Sequence, residues 1–308
     1  MRRLLFIANA SAGSSDREAQ EAALAVLREG GDVEVVETES IDDLTEAIAA
    51  RDGREVVVAG GDGSLHAFVT ALCRTGALGE DPPTVGLLPM GTGNDFARAT
   101  GLPKDPAEAA RIVLASPVRP VDVLIDDDDN LVANAVHIGV GEEAGRIAAP
   151  WKERLGKVHL GILGYAIGGI AAGFGQQGRH LEVVADDEGI ADGSRRVLQV
   201  AATIGTSVGG GSTIAPDAEP GDGRAEVVVS FAVAPRRRLR YALHLSRGTH
   251  TELDDVVTRQ VRSLAGSSSS PSALAAKSWL TPRTVTVRAR RVTTSSSSVC
   301  VPRLRCRA

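Results

Sequence analysis

Two short glycine-rich stretches hold the residues best suited to chemistry. Gly60, Gly61, Asp62, Gly63 and Ser64 follow the apolar run VVVA, and Gly91, Thr92, Gly93, Asn94 and Asp95 follow LLPM. A glycine pair lets the backbone turn without a Cβ penalty and come close to a bulky ligand. Successive amides in such a turn can form an anion-binding nest, and the free N–H groups that open a following helix add to it. A bare carboxylate beside an anion would repel it. Asp62 therefore makes sense as a ligand of a bridging Mg²⁺, as a group that orients a donor, or as a proton acceptor. The plainer alternative is a turn with an aspartate cap. Thr92 and Asn94 offer uncharged donors and acceptors, and Asp95 adds a second carboxylate. Asn9, in the polar stretch NASAGSS after the first apolar run, can face the same crevice. Three converging loops favour a nucleoside triphosphate over a purely structural turn. Neither loop ends in Gly-Lys-Ser or Gly-Lys-Thr, and the first strand has no Gly-x-Gly-x-x-Gly, which disfavours phosphate-loop hydrolases and ordinary dehydrogenases.

The elements that must position these loops follow from hydrophobic pattern. Residues 4–7, the alternating DVEVVET, the continuous EVVVAGG and TVGLLPMG read as strands. Segments 16–29, 41–53, 65–72, 94–99 and 105–116 read as helices between or after them. The sum is an open α/β unit, a Rossmann-like nucleotide-binding domain with a parallel sheet over residues 1–120. Ligands of such sheets sit at the rim formed by the strand ends, where both glycine loops fall. From residue 121 to 292 short strands separated by turns predict a mostly antiparallel, β-sandwich-like second domain. Residues 263–278 and the basic segment 293–308 are serine-rich and are assigned no element, the latter being a tail with the composition of disorder.

The chain has 308 residues, a formal charge of −5 and three cysteines without metal-like spacing. The mild charge gives no reason to expect nucleic acid. The cysteines suit a reducing, cytoplasmic compartment. The uncharged stretch 158–174 approaches membrane-spanning length, yet its five glycines read as a buried or half-buried helix. Four arginines within 236–240 could meet an anionic bilayer, or simply open a solvated helix. Asp126 to Asp129 read as a hairpin turn. The histidines at 137, 159, 180, 244 and 250 show no zinc spacing and are read as ordinary.

GGDGSLHAFVTAL followed about thirty residues later by GLLPMGTGNDFARATGLP resembles the catalytic domain of the diacylglycerol kinases and related bacterial lipid kinases. NASAGS is similar to that family's first nucleotide-contacting loop, and residues 205–229 resemble its glycine-rich segment with an Asp-Gly turn into a strand. The resemblance implies transfer of the γ-phosphoryl group of ATP to a lipid alcohol, with Mg²⁺ and peripheral contact with a membrane surface. Self-association into a homodimer is left open. It places Asn9, Gly60, Gly61, Asp62, Gly63, Ser64, Gly91, Thr92, Gly93 and Asn94 around the nucleotide. Asp62 and Asp95 fall at the metal, Asp222 at the general base, and Glu226 in the same carboxylate network. The rivals are a small-molecule kinase sharing Gly-Gly-Asp-Gly, such as an NAD kinase or a phosphofructokinase, and an inactive nucleotide- or lipid-binding protein. The family's glutamate after the first loop is Ala67 here. Its Gly-Phe-Asp is replaced around Gly139 to Gly141, and its closing Asp-Gly-Glu turn has no counterpart near the C-terminal segment.

Overall fold

The computed structural model describes residues 1–10, 14–76, 83–126, 130–139, 178–267, 285–290 and 304–307. The first lobe contains strands β1 (Arg2–Asn9), β2 (Gly31–Thr38), β3 (Glu55–Gly60) and β4 (Thr84–Pro89). Its helices are α1 (Ser14–Gly30), α2 (Ile41–Ala49), α3 (Asp62–Arg74), α4 (Asp95–Ala99) and α5 (Pro106–Ala115). β1 lies between β2 and β3, and β3 pairs with β4, all in parallel. The continuous apolar runs have a direct cause, because both faces of this sheet are covered. Leu4, Phe6, Val57, Ala59 and Leu88 pack toward Leu27 of α1 and Val113 of α5. Leu5, Ile7, Val56, Val58 and Leu87 pack toward Ile48 of α2 and Phe68 and Leu72 of α3.

Helix starts differ in a way that matters for the site. Ser40 and Asp43 form a reciprocal capping box on α2, and Asp105 caps α5 ahead of Pro106. α3 instead begins after Gly61, which has no side chain to cap it. The first-turn amides of α3 therefore keep their donors available to a ligand or to water.

The second lobe begins where β5 (Val118–Val121) gives way, across Asp122, to β6 (Val123–Ile125). The elements that follow are β7 (Leu131–Val132), β8 (Ala135–Gly139), β9 (Arg179–Ala185), β10 (Glu188–Val197), β11 (Gln199–Thr203), β12 (Ser207–Val208), β13 (Ser212–Thr213) and β14 (Ala225–Ser230). After them come α6 (Pro235–Leu245), β15 (Val256–Val261), β16 (Ser263–Ser267), β17 (Val285–Arg290) and β18 (Leu304–Arg307). One antiparallel sheet has the order β10-β9-β16-β17-β6-β7 and a second the order β15-β14-β11-β8. Leu181, Val183 and Leu264 of the first meet Val200, Ala202, Val227 and Val229 of the second in a shared core. The fold is thus an α/β domain joined to a β-sandwich-like domain.

Two serine-rich segments differ from the sequence expectation. Residues 263–267 form β16, paired antiparallel with both β9 and β17. Residues 304–307 form β18, which lies parallel to β4 and antiparallel to β5 in the first sheet. In both cases neighbouring strands offer unpaired backbone groups, and pairing to them overrides composition. The stretch 158–174 lies outside the described residues. Among the described residues no helix is long and apolar enough to cross a membrane.

Candidate active site

The two glycine loops lie against each other. A Cβ on Gly61 would stand 2.8 Å from the Cα of Gly91, and one on Gly91 would stand 2.7 Å from the Cα of Gly61. At Gly60 an added Cβ would meet the Ser64 side chain, and at Gly93 it would lie 3.0 Å from Asp62 Oδ2. Gly60, Gly61 and Gly91 are required by the packing of the loops themselves, whereas at Gly93 the Asp62 side chain would have to give way. Gly63 is different. It is helical, and a Cβ there meets nothing within 4 Å.

Asp62 joins the loops. Its Oδ2 accepts from the backbone N–H of Asp95 and its Oδ1 from that of Phe96, both at 3.1 Å. It therefore caps α4 from another loop, and its negative charge suits that helix terminus. Asn94 adopts a left-handed backbone (φ 49°) and folds back on Gly91, with Oδ1 accepting from Gly91 N at 2.9 Å and Nδ2 donating to Gly91 O at 2.6 Å. Its amide closes the loop on itself.

Asp95 ties the lobes together. It is 5 % exposed. Arg98 Nη1 lies 2.8 Å from its Oδ1, Ser207 Oγ donates to the same oxygen at 3.2 Å, and the Gly210 amide donates to Oδ2 at 2.8 Å. Arg98 Nη2 also donates to Gly93 O at 3.1 Å. Asp95, expected at the metal, is thus paired with Arg98, and its oxygens hold the β12–β13 hairpin against α4. Asp62, half-buried and facing the cleft, keeps lone pairs for a cation. Among the described residues no group of three or more His, Cys, Asp or Glu side chains converges on a metal position. Asp62 and Asp95, which both line the cavity between the lobes, are the carboxylates that could hold a nucleotide-borne Mg²⁺, an ion that takes one or two carboxylates together with substrate phosphates.

Two cavities meet at Gly63. The first, about 210 Å³, lies at the ends of β1 and β3 and beside the starts of α2 and α3, lined by Asn9, Thr38, Ser40, Gly63, Ser64 and Ala67 among others. The second, about 380 Å³, lies between the lobes and is lined by Asp62, Gly63, His66, Asn134, His137 and Gly210 among others. Thr92 is exposed on its loop and lines neither. Ala67 and His66 face different cavities, so His66 does not stand in for a carboxylate at position 67.

The inter-lobe cavity has a polar floor. Asn134 donates through Nδ2 to Ser207 O at 3.0 Å, while its Oδ1 and the Nδ1 of His137 are buried without a hydrogen-bond partner among the described residues. Burial pushes the His137 imidazole down to about 4, so the ring is neutral near pH 7. Sequence reading missed Arg98, Ser207, Gly210 and Asn134 and took His137 as ordinary. The alternation of β8 gave the strand but not the empty space beside the ring.

Asp222 and Glu226 line neither of these cavities. Asp222 sits in a turn, its Oδ1 accepting from Arg224 N at 2.8 Å. Glu226 is buried on β14 with Oε2 unpartnered among the described residues. Burial raises its carboxyl above the ordinary range, and the charges of Asp217 and Asp222 add to that, while a hydrogen bond from Gln260 opposes it. Glu226 pairs across with Thr203, which pairs with Ala135, a residue of the inter-lobe cavity wall. Two strand spacings, about 10 Å, separate Glu226 from that wall.

Comparison with known proteins agrees with this architecture. Residues 3–125 match the profile described as "Diacylglycerol kinase catalytic domain", and residues 132–278 match "YegS C-terminal NAD kinase beta sandwich-like domain". The protein named "Probable lipid kinase YegS-like" from Stenotrophomonas maltophilia is 31 % identical over 236 residues, covering 76 % of this chain and 72 % of its own. The chain belongs to the diacylglycerol kinase-like family of lipid kinases. A "Diacylglycerol kinase" of Bacillus subtilis is 29 % identical to this lipid kinase over 203 residues, 66 % of this chain and 63 % of that one. In structure, a diacylglycerol kinase from Bacillus anthracis superposes with a TM-score of 0.70 at 20 % identity over 94 % of each chain, which shows a shared fold.

Proposed function

We propose that this lipid kinase transfers the γ-phosphoryl group of ATP to the hydroxyl of a lipid alcohol such as diacylglycerol. The observation that supports it is the meeting of two differently built cavities at Gly63, beside the uncapped amides of α3. In this reading the nucleoside occupies the cavity of Asn9, Thr38 and Ser40. The phosphates lie over Gly63 and Ser64 at the α3 terminus, where free N–H groups and the helix dipole favour negative charge. Mg²⁺, held by Asp62 and the phosphates, would supply charge neutralisation. Phosphoryl transfer is mostly positioning and charge stabilisation, so the tie through Asp95, Arg98 and Gly210 acts by fixing the second lobe against the first.

The acceptor head group enters the inter-lobe cavity, whose lining includes Asp62, His66, Asn134 and neutral His137. Asp222 takes the hydroxyl proton as attack proceeds. Glu226 lies in the same group of carboxylates, and its protonation responds to the charge of Asp222. Such a base contributes about 10²–10⁴ in rate.

The test is transfer of labelled γ-phosphate from ATP to diacylglycerol, to a sphingoid base, to NAD and to a sugar phosphate. A labelled lipid phosphate is expected, and Asp222→Ala should abolish it without loss of ATP binding. Labelling of NAD or sugar phosphate alone would overturn the acceptor assignment, and nucleotide binding without transfer to any acceptor would favour a binding protein.

A further inference from the structure

α6 presents an outward face that the catalytic reading does not use. Between residues 234 and 247 the chain has five arginines and no acidic residue, in a protein of net charge −5. At about 100° per residue, Leu239, Leu243, Arg236, Arg247 and Arg240 fall on one side of the helix, with Arg247 just past its end. Leu239 and Leu243, one turn apart, are 55 % and 50 % exposed. The opposite side is anchored: Tyr241 is buried and meets His250 edge-on at 5.7 Å.

Some of the positive charge is paired at the margin of this face. Arg237 lies 3.4 Å from Asp255, and Arg240 lies 3.6 Å from Asp254. Arg236 and Arg247 are exposed and have no ionic partner among the described residues. A solvated helix start accounts for the arginines but not for two half-exposed leucines set among them. That combination suits a surface with anionic groups outside and hydrocarbon just beneath, where leucines enter between head groups and guanidinium groups meet phosphates. A nucleic acid would use the arginines and leave the leucines in water. A second copy joined face to face about a two-fold axis would bring arginine against arginine.

The location is also suitable. His250 Nε2 lies 2.8 Å from the carbonyl of Ile214, next to the β12–β13 hairpin. The same hairpin carries Gly210, which lines the inter-lobe cavity and bonds Asp95. α6 therefore backs onto the element that walls the cleft. We propose that the face of α6 formed by Arg236, Leu239, Arg240, Leu243 and Arg247 docks the protein on an anionic bilayer surface.

Co-sedimentation of the full chain with vesicles tests this without ATP or an acceptor, so it stands or falls apart from the kinase assay. Phosphatidylcholine vesicles with phosphatidylglycerol should carry the protein down, phosphatidylcholine alone should not, and salt should weaken the binding. Each arginine near an anionic surface contributes about a fivefold gain in affinity. Arg236→Gln with Arg247→Gln should therefore lose about 30-fold, and the paired lysine substitutions should keep most of the binding. Leu239→Glu with Leu243→Glu should abolish sedimentation. Thermal melts should not move, because these side chains are exposed. Failure of the native protein to bind, native-like binding by the glutamine and glutamate variants, or a native dimer dissolved by Leu239→Glu would each overturn the proposal.

Discussion

Substituting alanine at Gly63 and at Gly61 separates ligand space from loop packing. A Cβ at Gly63 touches nothing within 4 Å, and the residue is already helical in α3. Alanine there removes unfolded-state freedom and improves helix propensity, a gain of up to about 1 kcal/mol. A melting temperature raised by roughly 2 °C is the matching signal. The same methyl would intrude where the phosphates are placed. Displacing them by about 1 Å is enough to cost on the order of 10² in rate. Gly63→Ala should therefore be at least as stable as the native protein and far less active, with weaker ATP binding by calorimetry. Gly61→Ala should behave in the opposite order. Its Cβ stands 2.8 Å from the Gly91 Cα, backbone against backbone, and the overlap should cost about 1–3 kcal/mol in a urea melt. Native activity and ATP affinity in Gly63→Ala would refute phosphate placement at α3. Destabilisation by that variant would refute the open space beside it.

Asp95→Ala should lower stability by about 2–4 kcal/mol, since it strands the Gly210 amide and the Arg98 guanidinium; a double-mutant cycle with Arg98→Ala should show positive coupling in denaturant melts. Glu226 has a raised pKa, so the folded state holds its proton more tightly than the unfolded state. The resulting penalty is absent at acid pH and grows as pH rises through the unfolded and then the folded pKa. Glu226→Gln should accordingly raise the melting temperature near pH 7 and lose that advantage near pH 4, by calorimetry at both values. His137 has the reverse linkage. Its folded pKa is lowered to about 4, so the stability of the neutral ring is present above pH 6.5 and lost as pH falls toward 4. His137→Asn should remove up to about 3 kcal/mol of that acid sensitivity, and in the kinase assay it should raise KM for the acceptor more than KM for ATP.

The central strands of the first-lobe sheet were legible because they are buried on both faces and so read as apolar runs from Val56 to Ala59 and from Val85 to Leu88. The glycine loops were legible as a site, but the reason for each glycine was not. Gly61 and Gly91 look like ligand clearance in sequence and prove to be a contact between two backbones more than 25 residues apart. Nothing near Asp95 in the chain announces Ser207 or Gly210, whose hydrogen bonds to it span 112 and 115 residues. Local pattern also failed at Ser263–Ser267, where a short run of mostly small residues ahead of a serine tract hides a strand whose pairing comes from β9 and β17. His137 could be placed on a strand from alternation alone, whereas its missing hydrogen bond is a property of the space that surrounds it.

The position of β18 sets an order of events for biosynthesis. β4 and β5 are translated within the first 121 residues, yet the strand that joins them spans Leu304–Arg307. While the ribosome is still making the second lobe, the nascent nucleotide-binding half carries two open strand edges, each able to recruit a foreign partner. The half that is made first is thus finished last, and a chaperone that shields those edges would act during the long interval in between.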